Sequence, residues 1–313
     1  MVDRPIDEAF RRFAEDVRRT GLDALLSFQE RLRCYAGLPG IASESDRTAI
    51  REDAIILAVS DLLSTHPRPQ LRVLDACCGH GGLAAHLANN LSAGASRVAY
   101  LGIDQSSKHI ARARRLPLVP EKLHSLEFRL GEVWHLPQEW HATVDLVVLS
   151  NTLHELPSHR FPELFAAFNG VIVPNEGRVC VIDMEELPVG EPEAIAINWK
   201  LEEVEAILSA GGFKVTPSNH PKSVAVFRIV VQHAEKIDSL GMLNEIRSRL
   251  RKKLAIHAQE RAEAVEEAYV DDDSLLNWIV LTGSVARCAE ELLLVEQRID
   301  ELSGTVPNSR SES

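Results

Sequence analysis

Apolar residues change their rhythm twice along the chain, from threes and fours to short continuous runs and back again. Residues 6–35 and 46–64 hold apolar positions at helical spacing, including Phe10, Phe13 and Val17 in the first stretch and Ile50, Ala54 and Leu57 in the second. Gly37-Leu-Pro-Gly40 separates them, Ser43 or Ser45 is positioned to cap the second, and His66-Pro-Arg-Pro69 reads as a linker. From 67 to 233 the pattern becomes short apolar runs, such as Val73-Leu-Asp-Ala76, Val98-Ala-Tyr-Leu-Gly-Ile-Asp104 and Val144-Asp-Leu-Val-Val-Leu149. Between them lie stretches with helical character near 82–91, Leu164–Phe168 and Trp199–Ala210, the last stopped by Gly211-Gly212. After 233 the spacing returns to threes and fours, through Ile237, Leu240, Leu243, Ile246, Leu250 and Leu254. Asp271-Asp-Asp-Ser274 breaks this run, and a second follows through Ile279, Ala286, Ala289, Leu293 and Ile299. The two predict a helical hairpin over 234–302, followed by a polar, disordered tail at 303–313.

The ends of the apolar runs carry the chemistry. In Asp75-Ala-Cys-Cys-Gly-His-Gly81, Gly79 and Gly81 permit a sharp turn and a close backbone approach to a ligand, and the helix after them presents free N–H groups. Asp75, four residues before Gly79, suits a ligand bearing an ammonium group better than one bearing a pyrophosphate. Gly79-x-Gly81-x-x-Ala84 also satisfies a relaxed dinucleotide fingerprint, with Asp104 at the expected distance downstream. The turn alone therefore leaves nicotinamide chemistry open.

The later segments separate these readings. Leu126-Glu-Phe-Arg-Leu-Gly-Glu-Val-Trp-His-Leu-Pro137, Val144–Pro157, Val171–Asp183, Gly211-Gly-Phe-Lys-Val215 and Ser223–Val231 follow the glycine turn in the order and spacing of class I S-adenosylmethionine-dependent methyltransferases. Over residues 67–233 the chain resembles that family. The resemblance implies an α/β fold, a Rossmann-like seven-stranded mostly parallel sheet with helices on both faces, here flanked by the N-terminal helices of 1–66 and the C-terminal hairpin. It implies S-adenosyl-L-methionine as cofactor, with Cys77, Gly79 and Gly81 in its turn and Asp104 accepting both ribose hydroxyls. Ile103 and Gln105 would border the adenine, Glu132 would receive its amino group where the family more often has Asp, and Val133 would offer a backbone N–H. Ser150 and Asn151 follow the fourth strand, and His154 and Glu155 stand where the fold would put a catalytic base, with His135 the next candidate. Each of the three has an alternative role in shaping the pocket or capping a helix. His80 would contact the cofactor's backbone. Pro174-Asn175-Glu176-Gly177 replaces the family's Pro-Gly-Gly turn, a change that Asn tolerates. Ser150-Asn-Thr-Leu stands where methyltransferases acting on adenine or glutamine nitrogen carry Asn/Asp-Pro-Pro-Tyr, which directs attention to a small-molecule acceptor.

Composition narrows the partners. With 313 residues, 45% hydrophobic, 26% charged and a formal net charge of -12, this is ordinary globular material, and the charge argues against long nucleic-acid backbones. No apolar stretch approaches a membrane span and the amino terminus lacks a signal-peptide core, so a cytoplasmic location is expected. Cys34, Cys77, Cys78, Cys180 and Cys288 lack zinc-type pairing and read as small buried residues; no metal is expected. Arg31, Arg33 and Tyr35 either face the pocket or lie on a solvated helix face. The basic run at Arg247–Lys253 is balanced by Glu260, Glu263, Glu266 and Glu267. The hairpin either packs on the chain's own N-terminal helices or docks a second copy or another protein. Two further functions stay open beside methyl transfer: an inactive cofactor-binding scaffold or regulatory subunit working through the hairpin, and an NAD-dependent oxidoreductase.

Overall fold

Seven strands form one sheet in the computed structural model: β1 (Leu71–Ala76), β2 (Val98–Asp104), β3 (Ser125–Leu130), β4 (Leu146–Ser150), β5 (Arg178–Met184), β6 (Val215–His220) and β7 (Ser223–Gln232). The structure describes residues 55–56, 59–60, 63–64, 69–116, 122–184, 196–220, 223–267 and 272–304. The expectations for residues 6–35, for Arg31, Arg33, Tyr35 and Cys34, and for the tail from 305 lie outside these residues, as do nearly all of those for 46–68.

The strand order is β3-β2-β1-β4-β5-β7-β6. β1 pairs parallel with β2 and β4, placing Leu74 beside Leu101 and Val147. β7 is antiparallel to both neighbours, β5 and β6. Its direction follows from the connection: β6 ends at His220 and β7 begins at Ser223, too short a link for a parallel crossover. β2 is buried at every position and β1 at all but one, as expected for central strands covered on both faces.

One face carries α1 (Gly82–Asn90) and α2 (Ser107–Ala113), with Leu83, Leu87, Ile110 and Tyr100 in a shared core. The other carries α3 (Phe161–Val171), started by Pro162 in its first turn, and α4 (Leu201–Ala210). The C-terminal helices α5 (Ser239–Glu267) and α6 (Asp272–Ser303) lie against this second face. Met242, Leu243, Ile246, Leu250, Val295 and Ile299 belong to the same core as Phe165, Phe168, Trp199 and Ile207. The hairpin's apolar stripe thus packs on the chain's own sheet-covering helices. Ile256, Leu293 and Leu302 remain exposed on its outside.

The attachment includes a buried ionic knot. Glu291 of α6 is fully buried, and its Oε2 accepts from the backbone N–H and hydroxyl of Ser158 at 2.9 and 2.7 Å. Arg287 lies 2.9 Å from its other oxygen and the His159 ring 3.3 Å from Oε2. Burial opposes ionisation, yet His159, Arg287 and Ser158 together hold the carboxyl below its usual range. Lys253 of α5 similarly reaches Glu203 at 2.6 Å and the Asn198 carbonyl at 2.7 Å. Among the described residues, no helix is long and apolar enough to cross a membrane.

Candidate functional site

The carboxyl end of β1 runs into α1 through a turn held in unusual backbone geometry. Cys77, Gly79 and Gly81 all have left-handed φ values, of 62°, 53° and 79°. The Cys78 N–H donates to the Ile103 carbonyl at 2.9 Å and so pins the turn to β2. The two glycines serve different ends. A Cβ on Gly81 would meet Leu116 at 2.8 Å and Phe128 at 2.9 Å, so this glycine makes room for core side chains. A Cβ on Gly79 would meet nothing within 4 Å, so this one faces open space where a ligand can approach the backbone.

Asp104, at the end of β2, lies directly beneath. One of its oxygens accepts from Gly79 N–H at 2.9 Å and the other from Ser106 N–H at 2.7 Å. Ser106 then caps α2 by accepting from His109 N–H at 3.3 Å. An ionised carboxylate has about four acceptor sites, so Asp104 keeps capacity for two further hydroxyl donors. Asp75 is 5% exposed and accepts from the Tyr100 hydroxyl. Burial dominates its titration: only partly offset by that hydrogen bond, and reinforced by the charge of Asp104, it lifts the carboxyl to about 7. Burial, followed by the charges of Asp104, Asp75 and Glu155, pushes the Cys77 thiol up to about 12, leaving it inert at neutral pH. Cys77 is half-buried, whereas Cys78, Cys180 and Cys288 are buried.

A second cluster closes β4 and β5. Asn151, just past β4, takes φ 54° and donates its N–H to the Ile182 carbonyl at 2.8 Å. The Ser150 carbonyl accepts from the Thr152 hydroxyl at 3.0 Å. A single 3-10 turn, Leu153–Glu155, then presents His154 to Asp183 of β5. His154 Nδ1 is 2.7 Å from Asp183 Oδ1, its backbone N–H donates to Oδ2 at 3.2 Å, and Met184 N–H donates to Oδ1 at 2.8 Å. His154 is 2% exposed, and Ile197 N–H holds its carbonyl at 3.0 Å.

The sequence candidates therefore divide. Asp75, Cys77, Gly79, Gly81 and Asp104 come together at the turn, with exposed Gln105 at its rim; Ser150, Asn151, His154 and exposed Glu155 gather at the neighbouring strand ends. Val133 is buried. His135 and Glu132 instead face solvent, their side chains 77% and 56% exposed and 3.3 Å apart, on the loop after β3. His80 points outward, with its ring 4.4 Å from that of His109 and Arg112 at 2.9 Å. Two residues escaped sequence reasoning. Asp183 carries the signal that exposed Asp75 and Asp104, an acid closing an apolar run. Tyr100 carries none, because an aromatic within a strand reads as core.

Residues 73–175, about a third of the chain, match the model of a family described as methyltransferase domain. No curated protein sequence matches. Among solved structures the chain is similar to the citrinin polyketide synthase CMeT domain, at 17% identity over 59% of this chain and 52% of that one, with a TM-score of 0.49. It is also similar to the CurJ carbon methyltransferase, at 14% identity over 59% and 54%, with a TM-score of 0.48. A third is magnesium protoporphyrin IX methyltransferase (ChlM) from Synechocystis PCC 6803 with bound SAH, at 17% identity over 67% and 97%, with a TM-score of 0.46. The chain spans about half the length of the first two.

Proposed function

We propose that this chain, whose central domain is by its matched segment and sheet a class I S-adenosylmethionine-dependent methyltransferase domain, methylates a small-molecule acceptor held at the carboxyl ends of β4 and β5. The observation that carries the reading is the open turn at Gly79 above Asp104. The residues fit the cofactor. Asp104 has acceptor capacity for the ribose hydroxyls, and Gly79 leaves the backbone bare. Asp75 is the partner for the ammonium group, whose charge would draw off the carboxyl's proton. Binding near pH 7 should then release up to about half a proton, read from calorimetry in two buffers of different ionisation enthalpy.

The cofactor supplies a methyl group on a sulfonium, electrophilic enough that alignment of the acceptor does most of the work. The strand-end cluster orients that acceptor. Asp183 fixes the His154 ring through Nδ1, orienting the imidazole that would take a proton from an acceptor needing to lose one. Glu155 and His135 become rim residues in this reading. Residues 67–233 form the cofactor-binding domain, and 234–302 a helical addition that buttresses it through Glu291. We place the activity in the cytoplasm.

Calorimetric titration with S-adenosylmethionine, S-adenosylhomocysteine and NAD tests the cofactor. Micromolar binding of the first two without the third supports it; binding of NAD alone would overturn it. The strand order favours the sulfur ligands over NAD, since β7 sits antiparallel between β5 and β6 and departs from the 3-2-1-4-5-6 order of dinucleotide folds. A cofactor-binding scaffold without catalysis is the second reading, favoured by the near-complete burial of His154. Cofactor binding with no turnover over a broad panel of oxygen, carbon and nitrogen nucleophiles would select it.

A further inference from the structure

On the outer side of the glycine turn lies a cavity of about 410 Å³ that the cofactor reading does not use. It is lined by His80 from the turn and by Ser106, Lys108, His109, Arg112 and Arg115 on or beside α2. With Ala111 also in its wall, five of its seven lining residues can carry positive charge. Some arginines elsewhere pair with carboxylates, Arg129 with Glu127 and Glu139, Arg249 with Glu245, Arg251 with Glu296 and Arg298 with Glu163 and Glu301, while others, such as Arg114 and Arg178, donate to backbone carbonyls. Among the described residues, no carboxylate pairs with Lys108, Arg112 or Arg115, although the chain carries 46 acidic residues against 34 basic ones. Asp104 reaches only as far as His109, at 3.3 Å. Burial and the neighbouring charges of His109 and Arg112 lower the proton affinity of His80, the sign of cations crowded together.

Like charges converging on a concavity are self-repelling until an anion enters. Two guanidinium forks, an ammonium and two imidazoles match the oxygens of a phosphate group. The volume exceeds that of a bare ion and falls within the range of about 300–1,000 Å³ common for small-molecule sites. The acidic balance of the whole chain disfavours a polyanion. We infer that this cavity binds a phosphate-bearing small molecule. Its occupant touches the cofactor cradle from outside, because His80 belongs to the glycine turn and His109 reaches Asp104. Resting on the cofactor reading, the consequence is mutual: occupancy here changes affinity for the cofactor, and the reverse by the same factor.

The test is calorimetric titration of the full chain, without cofactor, against inorganic phosphate, pyrophosphate and ribose 5-phosphate, with a short single-stranded RNA alongside. Saturable one-to-one binding of at least one phosphate probe is expected, weakened about tenfold or more in Arg112→Ala/Arg115→Ala by loss of charge-assisted hydrogen bonds. Both side chains are exposed, and an unchanged unfolding midpoint would verify that the variant folds. Tighter binding of ribose 5-phosphate than of inorganic phosphate assigns an organic phosphate; the opposite order assigns the free ion. Absence of saturable binding, binding that ignores the double substitution, or binding of RNA alone would each overturn the inference. Repeating the S-adenosylhomocysteine titration with the probe saturating should shift affinity by about fivefold or more. If S-adenosylhomocysteine fails to bind at all, the cofactor reading falls while the direct phosphate result stands or falls alone.

Discussion

Asp75 and Asp183 occupy the same place in two strands, the penultimate position of β1 and of β5, and both are buried. Asp75 has a neutral hydroxyl from Tyr100 for its partner, and desolvation carries its titration up to about 7. Asp183 receives the His154 ring and two backbone N–H groups. An acid closing a strand has no fixed role; its donors decide. Asp75 is a group whose charge a cationic ligand can switch on, and Asp183 is a clamp that fixes an imidazole. In the function proposed above, this division separates holding the cofactor from preparing the acceptor.

The largest expected effect breaks the Asp183 side. His154→Gln or Asp183→Asn should lower methyl transfer by about 10²–10⁴-fold, the usual worth of a positioned base, with S-adenosylhomocysteine affinity unchanged in calorimetry. If affinity falls in step with rate, the two ends are not separate. The next concerns Asp75. Its folded pKa of about 7 lies above the ordinary 3.8, so the folded state holds the proton more tightly than the unfolded chain. Its stabilising contribution is full below about pH 4 and is lost as the pH rises through about 7. Against Asp75→Asn, the native protein should therefore lose on the order of 2–4 kcal/mol between those limits. Urea unfolding at several pH values checks this, and parallel profiles for the two proteins would refute it.

Asp104→Ala should weaken S-adenosylhomocysteine binding by about 1.5–3 kcal/mol, through lost hydrogen bonds to the ribose. Equal affinity in the variant would remove Asp104 from the site. The smallest effect separates the two glycines. Both sit at positive φ, but only Gly81→Ala drives a methyl into Leu116 and Phe128. It should cost about 1–2 kcal/mol more stability than Gly79→Ala. Gly79→Ala should instead lose cofactor, and thermal unfolding paired with calorimetry separates the two.

Much of this was legible in the chain. The central strands are covered on both faces, so they appear as unbroken apolar runs, and Asp75 and Asp104 stand out as charges at their ends. Asn175, in place of the family's glycine, takes φ 65° as its turn chemistry predicts. The insertion of β7 between β5 and β6 was not legible, since chain order does not say which strands lie side by side. Spacing along α5 identified Ile246 and Leu250 as one face but could not say that α4 and the 158–160 turn lie opposite. The partner of Asp75 was hidden for the same reason: Tyr100 reaches it only because β1 and β2 pair in register, with Val73 beside Tyr100. The neighbours of the His80 ring, His109 and Arg112, were not legible, because a position within the turn fixes the backbone but not which way the ring leaves it.

The insertion of β7 between β5 and β6 has a cost in time. As the chain is synthesised from its amino end, β5 completes a parallel sheet whose outer edge stays open, and β6 follows with no partner to pair with, because its only neighbour is β7. Until Gln232 has emerged, a nascent chain shows an unpaired apolar strand edge, the kind of surface that invites association with other chains. Arrest of translation at points where the emerged chain ends between residues 220 and 232 should therefore leave a more aggregation-prone intermediate than arrest once all of β7 has emerged.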